Sequence, residues 1–115
     1  MIRRLGPHAD VDAIVADAAA EGREVHVVTA AATKAATLEA FAEALDFPAW
    51  FGGNLDALSD CLRHLAGHTE GEWELVVDRV AALGREDPFA MAQLRGVLGE
   101  VAAAHPRFHV TVVER

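Results

Sequence analysis

Three short runs rich in β-branched residues, set apart by stretches with helical periodicity, leave this chain few folds to choose from. Glu24-Val25-His26-Val27-Val28-Thr29-Ala30, Trp73-Glu74-Leu75-Val76-Val77-Asp78-Arg79 and Phe108-His109-Val110-Thr111-Val112-Val113 each read as a buried strand. After the first run, residues 35–45 repeat at helical spacing with Leu38, Phe41, Ala42 and Leu45 inward, and Pro48 stops them. Either Thr33 or Thr37 suits the cap. Asn54 is a natural cap for the next helix, which places Leu55, Leu58, Leu62 and Leu65 on one face, and residues 67–71 read as a loop. After the second run, residues 80–84 suit a single helical turn. Asp87-Pro88 then starts a helix running to about Ala104, with Phe89, Leu94, Val97, Leu98 and Val101 inward and Pro106 beyond its end. Strands joined by helices imply a parallel sheet with right-handed crossovers. Ahead of this pattern, residues 10–21 put Val11, Ile14, Val15 and Ala18 on one helical face, and Gly22 ends the run. The expected architecture is α/β: a three-stranded parallel sheet packed with helices over residues 23–115, preceded by a helical extension over residues 1–22.

At 115 residues the chain is long enough for one domain with its own core. Apolar residues make up 52% of it. Many are alanines, so Leu, Val, Phe and Trp must supply the packing. Ten basic residues against eighteen acidic ones leave a net charge of −8, which disfavours nucleic acid and anionic membranes and favours a basic partner. No apolar run approaches the ~20 residues of a membrane span. Arg3 and Arg4 are followed by Asp10 and Asp12 rather than an apolar stretch, so a secretory signal is not expected. Cys61 is the single cysteine, which excludes an intrachain disulfide and fits a reducing cytoplasm.

The stretch from Pro48 to Leu62 carries the functional signal. Trp50 and Phe51 lead into a Gly52-Gly53-Asn54 turn, and the turn opens a helix bearing Asp56 and Asp60. These two acids are four residues apart and share a face. Leu55, Leu58 and Leu62 define the buried side, so the acids point to solvent. Asp56 also sits in the first turn, where a carboxylate suits the helix dipole. Asp60 has no such local reason, and a like-charge pair at this spacing costs a few tenths of a kcal/mol. Between Lys34 and Arg63 there is no basic residue, while Glu39, Glu43, Asp46, Asp56 and Asp60 all fall in that interval. A one-signed patch works against a monomer by self-repulsion but speeds encounter with a partner of opposite charge.

Other chemistries fit less well. The glycine pair lacks the second spaced glycine and the Lys-Ser/Thr of a phosphate loop, and Asp56 would repel phosphate there. A tight turn that presents the aromatic pair is the better reading, with one ring packed beneath the helix and the other free to anchor a partner. Cys61 borders the leucine face and reads as a buried structural thiol with its pKa raised by neighbouring acids. His64 and His68 are four apart, but Gly67 is expected to break the helix between them, so no zinc site or cofactor is expected. Ser59 has no base nearby in sequence. An enzyme using Asp56 and Asp60 as acid and base would need a concave pocket over them, and enzymatic activity is not expected.

Residues 45–62 resemble the signature of the barstar family, intracellular protein inhibitors of microbial ribonucleases, with Asn54, Leu55, Asp56, Ala57, Leu58, Asp60, Cys61 and Leu62 in the matching places. The element order from residue 24 to 115 agrees with the family's βααβααβ plan. The resemblance implies a small α/β protein that fills a ribonuclease cleft with this helix and its preceding loop, the acids standing in for RNA phosphates. Asp60 would be the central acid, Asp56 its neighbour and Trp50 the exposed aromatic. Phe51, Gly52, Gly53 and Asn54 would form the contacting loop. Glu100 is the nearest match to a glutamate contributed by the last helix in some members. Ser59 stands where the family often has an aromatic, and Gly53 where it sometimes has an acid. The partner so implied is a basic ribonuclease, barnase-like or another microbial ribonuclease or toxin domain. The free protein would be a cytoplasmic monomer that confers immunity on its own cell. The competing reading keeps the acidic face but gives it a basic non-nuclease partner, as a regulatory interaction module.

Overall fold

The computed structural model describes residues 2–48 and 51–115. Its strands are β1 (Ile2–Leu5), β2 (Glu24–Thr29), β3 (Trp73–Asp78) and β4 (Phe108–Val113), and its helices are α1 (Val11–Ala20), α2 (Lys34–Ala44), α3 (Leu55–His68), α4 (Ala81–Glu86) and α5 (Pro88–Ala104). The sheet order is β1-β4-β3-β2, with every neighbouring pair parallel.

The α/β class and the parallel sheet follow from the spacing of the strand runs, but the sheet has four strands where three were expected. Ile2-Arg3-Arg4-Leu5 adds the fourth by pairing with Val110 to Val113. Ile2 packs against the edge of the core, and the other anchors are polar. The Arg3 Nε donates to Thr111 Oγ1 at 3.2 Å, and Arg4 pairs with Glu114 at 2.6 Å. With Ile2 and Leu5 half-buried and two exposed arginines between them, the strand leaves no apolar alternation to read.

Alternation of side chains across the sheet divides the interior in two. On one face Val28, Trp73, Leu75, Val77, Phe108, Val110 and Val112 meet Leu38 and Phe41 of α2, Leu58 and Leu62 of α3, and Leu94, Leu98 and Val101 of α5. The Trp73 and Phe108 rings stack with centroids 4.2 Å apart. On the other face Val76 and Val113 are fully buried, and α1 packs against β2 and β3 there. This face also buries two carboxylates. Glu74 accepts from Thr111 Oγ1 at 2.7 Å. Asp78 accepts from the Nε and Nη2 of Arg115, each at 2.9 Å, and from the Arg79 backbone N–H at 2.8 Å.

Local starts and stops mostly obey their capping residues. Thr33 caps α2 by accepting from the Ala36 N–H at 3.1 Å. Thr37 is buried and its hydroxyl serves the preceding loop, accepting from the Ala31 N–H at 3.1 Å. Asp87 caps α5 through the Ala90 N–H at 3.0 Å. Two expectations need correction. Gly67 does not break α3, which continues to His68; a single helical glycine costs only about 1 kcal/mol against alanine, and packing of the leucine face outweighs it. Phe89 is not inward. The buried side of α5 is set by Ala90, Met91, Leu94, Leu98, Val101 and Ala102. Phe89 precedes Leu94 by five residues, about 140° around a helix, and so it faces away.

Candidate functional site

The site grows from the turn before α3. Gly53 has φ of +66°, a conformation that glycine adopts without the Cβ penalty of other residues. A Cβ on Gly52 would come within 3.3 Å of the Asn54 side-chain nitrogen. The side chain at residue 52 is therefore traded for a close approach of the Asn54 amide. Asn54 is extended and its Oδ1 accepts from the Ala57 N–H at 2.8 Å, which fixes the first turn of α3. Phe51 packs against the core and its ring lies 5.0 Å from that of Phe47, so it is the loop aromatic that supports the turn from beneath. Trp50, expected as the exposed aromatic, lies outside the described residues.

With Leu58 and Leu62 fully buried, Asp56 and Asp60 stand on the outer ridge of α3, and both are exposed. Glu39 and Glu43 on α2 and Asp46 after it are exposed as well. The acids that cluster in the sequence are thus all carried at the surface. Ser59 is half-buried and its hydroxyl accepts from the Arg63 Nε at 3.1 Å. The same guanidinium lies 3.7 Å from Glu100. Glu100 is 37 residues on from Arg63 in the chain, and this contact brings it beside the acidic helix. Arg63 is the contributor that the sequence pattern did not single out. It closes the basic-free interval, but only the folded pairing of α3 with α5 shows it inserted between Ser59 and Glu100.

Cys61 is 3% exposed. Burial is the main cause that raises its pKa, and the charge of Asp60 adds to it. The thiol is therefore protonated and inert rather than nucleophilic. His64 and His68, brought onto one continuous helix, stack with centroids 4.1 Å apart, and the His68 Nδ1 engages the His64 carbonyl at 2.8 Å. Among the described residues no three metal-ligating side chains converge. A cavity of about 440 Å³ lies between the end of α2 and α3, lined by Leu45, Asp46, Phe47, Pro48, Cys61, His64 and Leu65. Neither Asp56 nor Asp60 lines it, so that hollow does not supply the pocket an acid–base pair would need. What the arrangement can do chemically is present carboxylates, pre-ordered by a capped helix, to cationic groups.

No helix among the described residues is long and apolar enough to cross a membrane. A family model described as Barstar (barnase inhibitor) matches residues 23–113. No curated protein matches the chain. Among solved structures, it is similar to a chain in the "Structure of Drosophila ORC bound to GC-rich DNA and Cdc6", with a TM-score of 0.51 and 18% identity across 97% of its own length. It spans 40% of that chain, and a likeness at this identity extends to the fold alone.

Proposed function

Since the chain belongs to the barstar family, we propose that it inhibits a microbial ribonuclease by seating α3 and the turn before it in the enzyme's substrate cleft. The observation that carries this reading is the exposed Asp56–Asp60 ridge, rigidly presented by the Asn54 cap. A ribonuclease cleft gathers cationic side chains to bind phosphate and stabilise its displacement. A carboxylate already held in place recovers that interaction with little loss of side-chain freedom. Asp60 takes the central position, Asp56 flanks it, and Gly52, Gly53 and Asn54 bring the turn's backbone close to the enzyme. Trp50 adds an aromatic contact. Glu100 supplies a further carboxylate from the side of α5. Inhibition is steric and electrostatic, with no covalent step and no cofactor. The free protein is a cytoplasmic monomer, and the biological role is protection of the cell from its own or an incoming nuclease.

The test is titration of the protein into barnase with RNA cleavage as the readout, alongside Asp60→Ala. Stoichiometric loss of cleavage that the variant fails to reproduce supports the reading. Full cleavage at excess wild-type protein overturns it for a barnase-like target and turns attention to a basic partner of another kind. Truncating one member of a buried interfacial charge pair, for which barnase–barstar is itself the standard example, costs about 2–5 kcal/mol. That corresponds to about 30-fold to a few thousand-fold in affinity.

A further inference from the structure

Phe89 is 73% exposed in the first turn of α5. The other large apolar side chain in the open among the described residues, Val27, is only 37% exposed. Single exposed apolar residues are ordinary, so position has to carry the argument. Phe89 and Glu100 are eleven residues apart, which at 3.6 residues per turn puts them within about 20° of each other on α5. Gln93 and Gly96 continue the same stripe. At one end of it, Glu100 meets Arg63 of α3 at 3.7 Å. Near the other end, Ala90 and Leu94 line a small hollow together with Leu55 of α3. The two helices therefore lie side by side and point the same way, with Phe89 at the level of the first turn of α3 and Glu100 near Arg63.

We infer that Phe89 is an aromatic anchor for the partner that the α3 acids address, so that the docking surface spans α3 and the Phe89–Glu100 stripe of α5. This rests on the ribonuclease reading and extends it. The partner must carry an apolar contact on the rim of its basic cleft. α3 has no Phe, Trp or Tyr of its own, and the Ser59 hydroxyl is taken up by Arg63. Fourteen residues of helix span about 21 Å, and since each partner usually buries ~800 Å², surface beside this ridge and its preceding turn is called on as well. The neighbouring stripe on α5 offers such surface, and its one aromatic belongs to a residue class enriched at protein interfaces.

The experiment measures inhibition of barnase by the wild-type protein, Phe89→Ala and Asp60→Ala, with thermal melting of each. The expected result is a roughly 10- to 100-fold rise in the inhibition constant for Phe89→Ala with an unchanged melting temperature. If Phe89→Ala inhibits within twofold of wild type while Asp60→Ala does not inhibit, this inference is overturned and the ribonuclease reading stands. A melting temperature lowered by several degrees would make Phe89 a structural residue and also overturn the inference. If the wild-type protein leaves cleavage untouched, both fall together for a barnase-like target.

Discussion

Arg63 on α3 holds the Ser59 hydroxyl at 3.1 Å and the Glu100 carboxylate at 3.7 Å, placing a positive charge one turn from Asp60. The guanidinium partly neutralises Glu100 and would repel a basic partner. Arg63→Ala is expected to tighten inhibition of a basic ribonuclease about two- to fivefold, the range set by the ~0.4–1 kcal/mol of an exposed charge contact. Parallel titrations of wild type and variant at one ionic strength measure this, and weaker inhibition by the variant would contradict it.

Acids at different places on the face should act on different rate constants. Glu39 is exposed on α2, a different helix from the one that carries Asp56 and Asp60. Glu39→Ala is expected to slow association less than threefold and to flatten its dependence on salt, because a charge outside the inserted helix acts through the long-range field. Asp60→Ala is expected to act mainly by speeding dissociation. Stopped-flow association and a competition chase separate the two. Equal small effects from both variants would remove α3 from the contact.

The turn before α3 should be a measurable part of the fold's stability. Asn54→Ala leaves the Ala57 N–H without its 2.8 Å partner and is expected to cost about 1 kcal/mol, near 4 °C in melting temperature for a domain of this size. Asn54→Asp keeps an accepting oxygen and should lose only a few tenths of that energy. The comparison isolates the cap from the loop, and equal losses in both variants would show that the Asn54 amide matters for another reason.

The second face of the sheet predicts how the protein responds to acid. The Asp78 carboxyl is held below its ordinary value chiefly by the Arg115 hydrogen bonds. Burial acts the other way, while the Arg115 charge and the Arg79 N–H add to the lowering. A carboxylate with a depressed folded pKa stabilises the fold fully above its unfolded value, near pH 4, and loses that contribution as pH falls through the folded value. The stability gap between wild type and Asp78→Asn is therefore expected to be constant from pH 7 to about pH 5 and to shrink below pH 4. Urea unfolding across that range tests it, and a gap that widens on acidification would reverse the assignment.

Much of this molecule is legible in its residues because local chemistry and tertiary packing agree. Asn54 and Asp87-Pro88 announce helix starts that the backbone amides then confirm. The leucine spacing of α3 dictates which side Asp56 and Asp60 must take. The misreadings fall where local pattern and long-range packing part. Ile2–Leu5 is a strand because β4 offers it a ladder, and two arginines in four residues gave no hint of that. Gly67 looks like a breaker until the buried side of α3 is in place. Phe89 is apolar and near the right rhythm, yet five residues from Leu94 is out of phase. The Arg63–Glu100 contact depends on α3 and α5 lying together, a relation between segments 37 residues apart that no local pattern encodes.

The placement of β1 beside β4 has a consequence for the order in which the chain can assemble. Arg3 and Thr111 are 108 positions apart, and among the described residues β1 borders no strand but β4. Closing so long a loop is entropically costly and is rewarded only once its partner edge exists. β2, β3 and the helices between them can nucleate from nearer contacts, and β4 then docks on β3. β1 is the last strand to zip on and the first to peel away, so its amides should exchange with solvent through local openings well before those of β3.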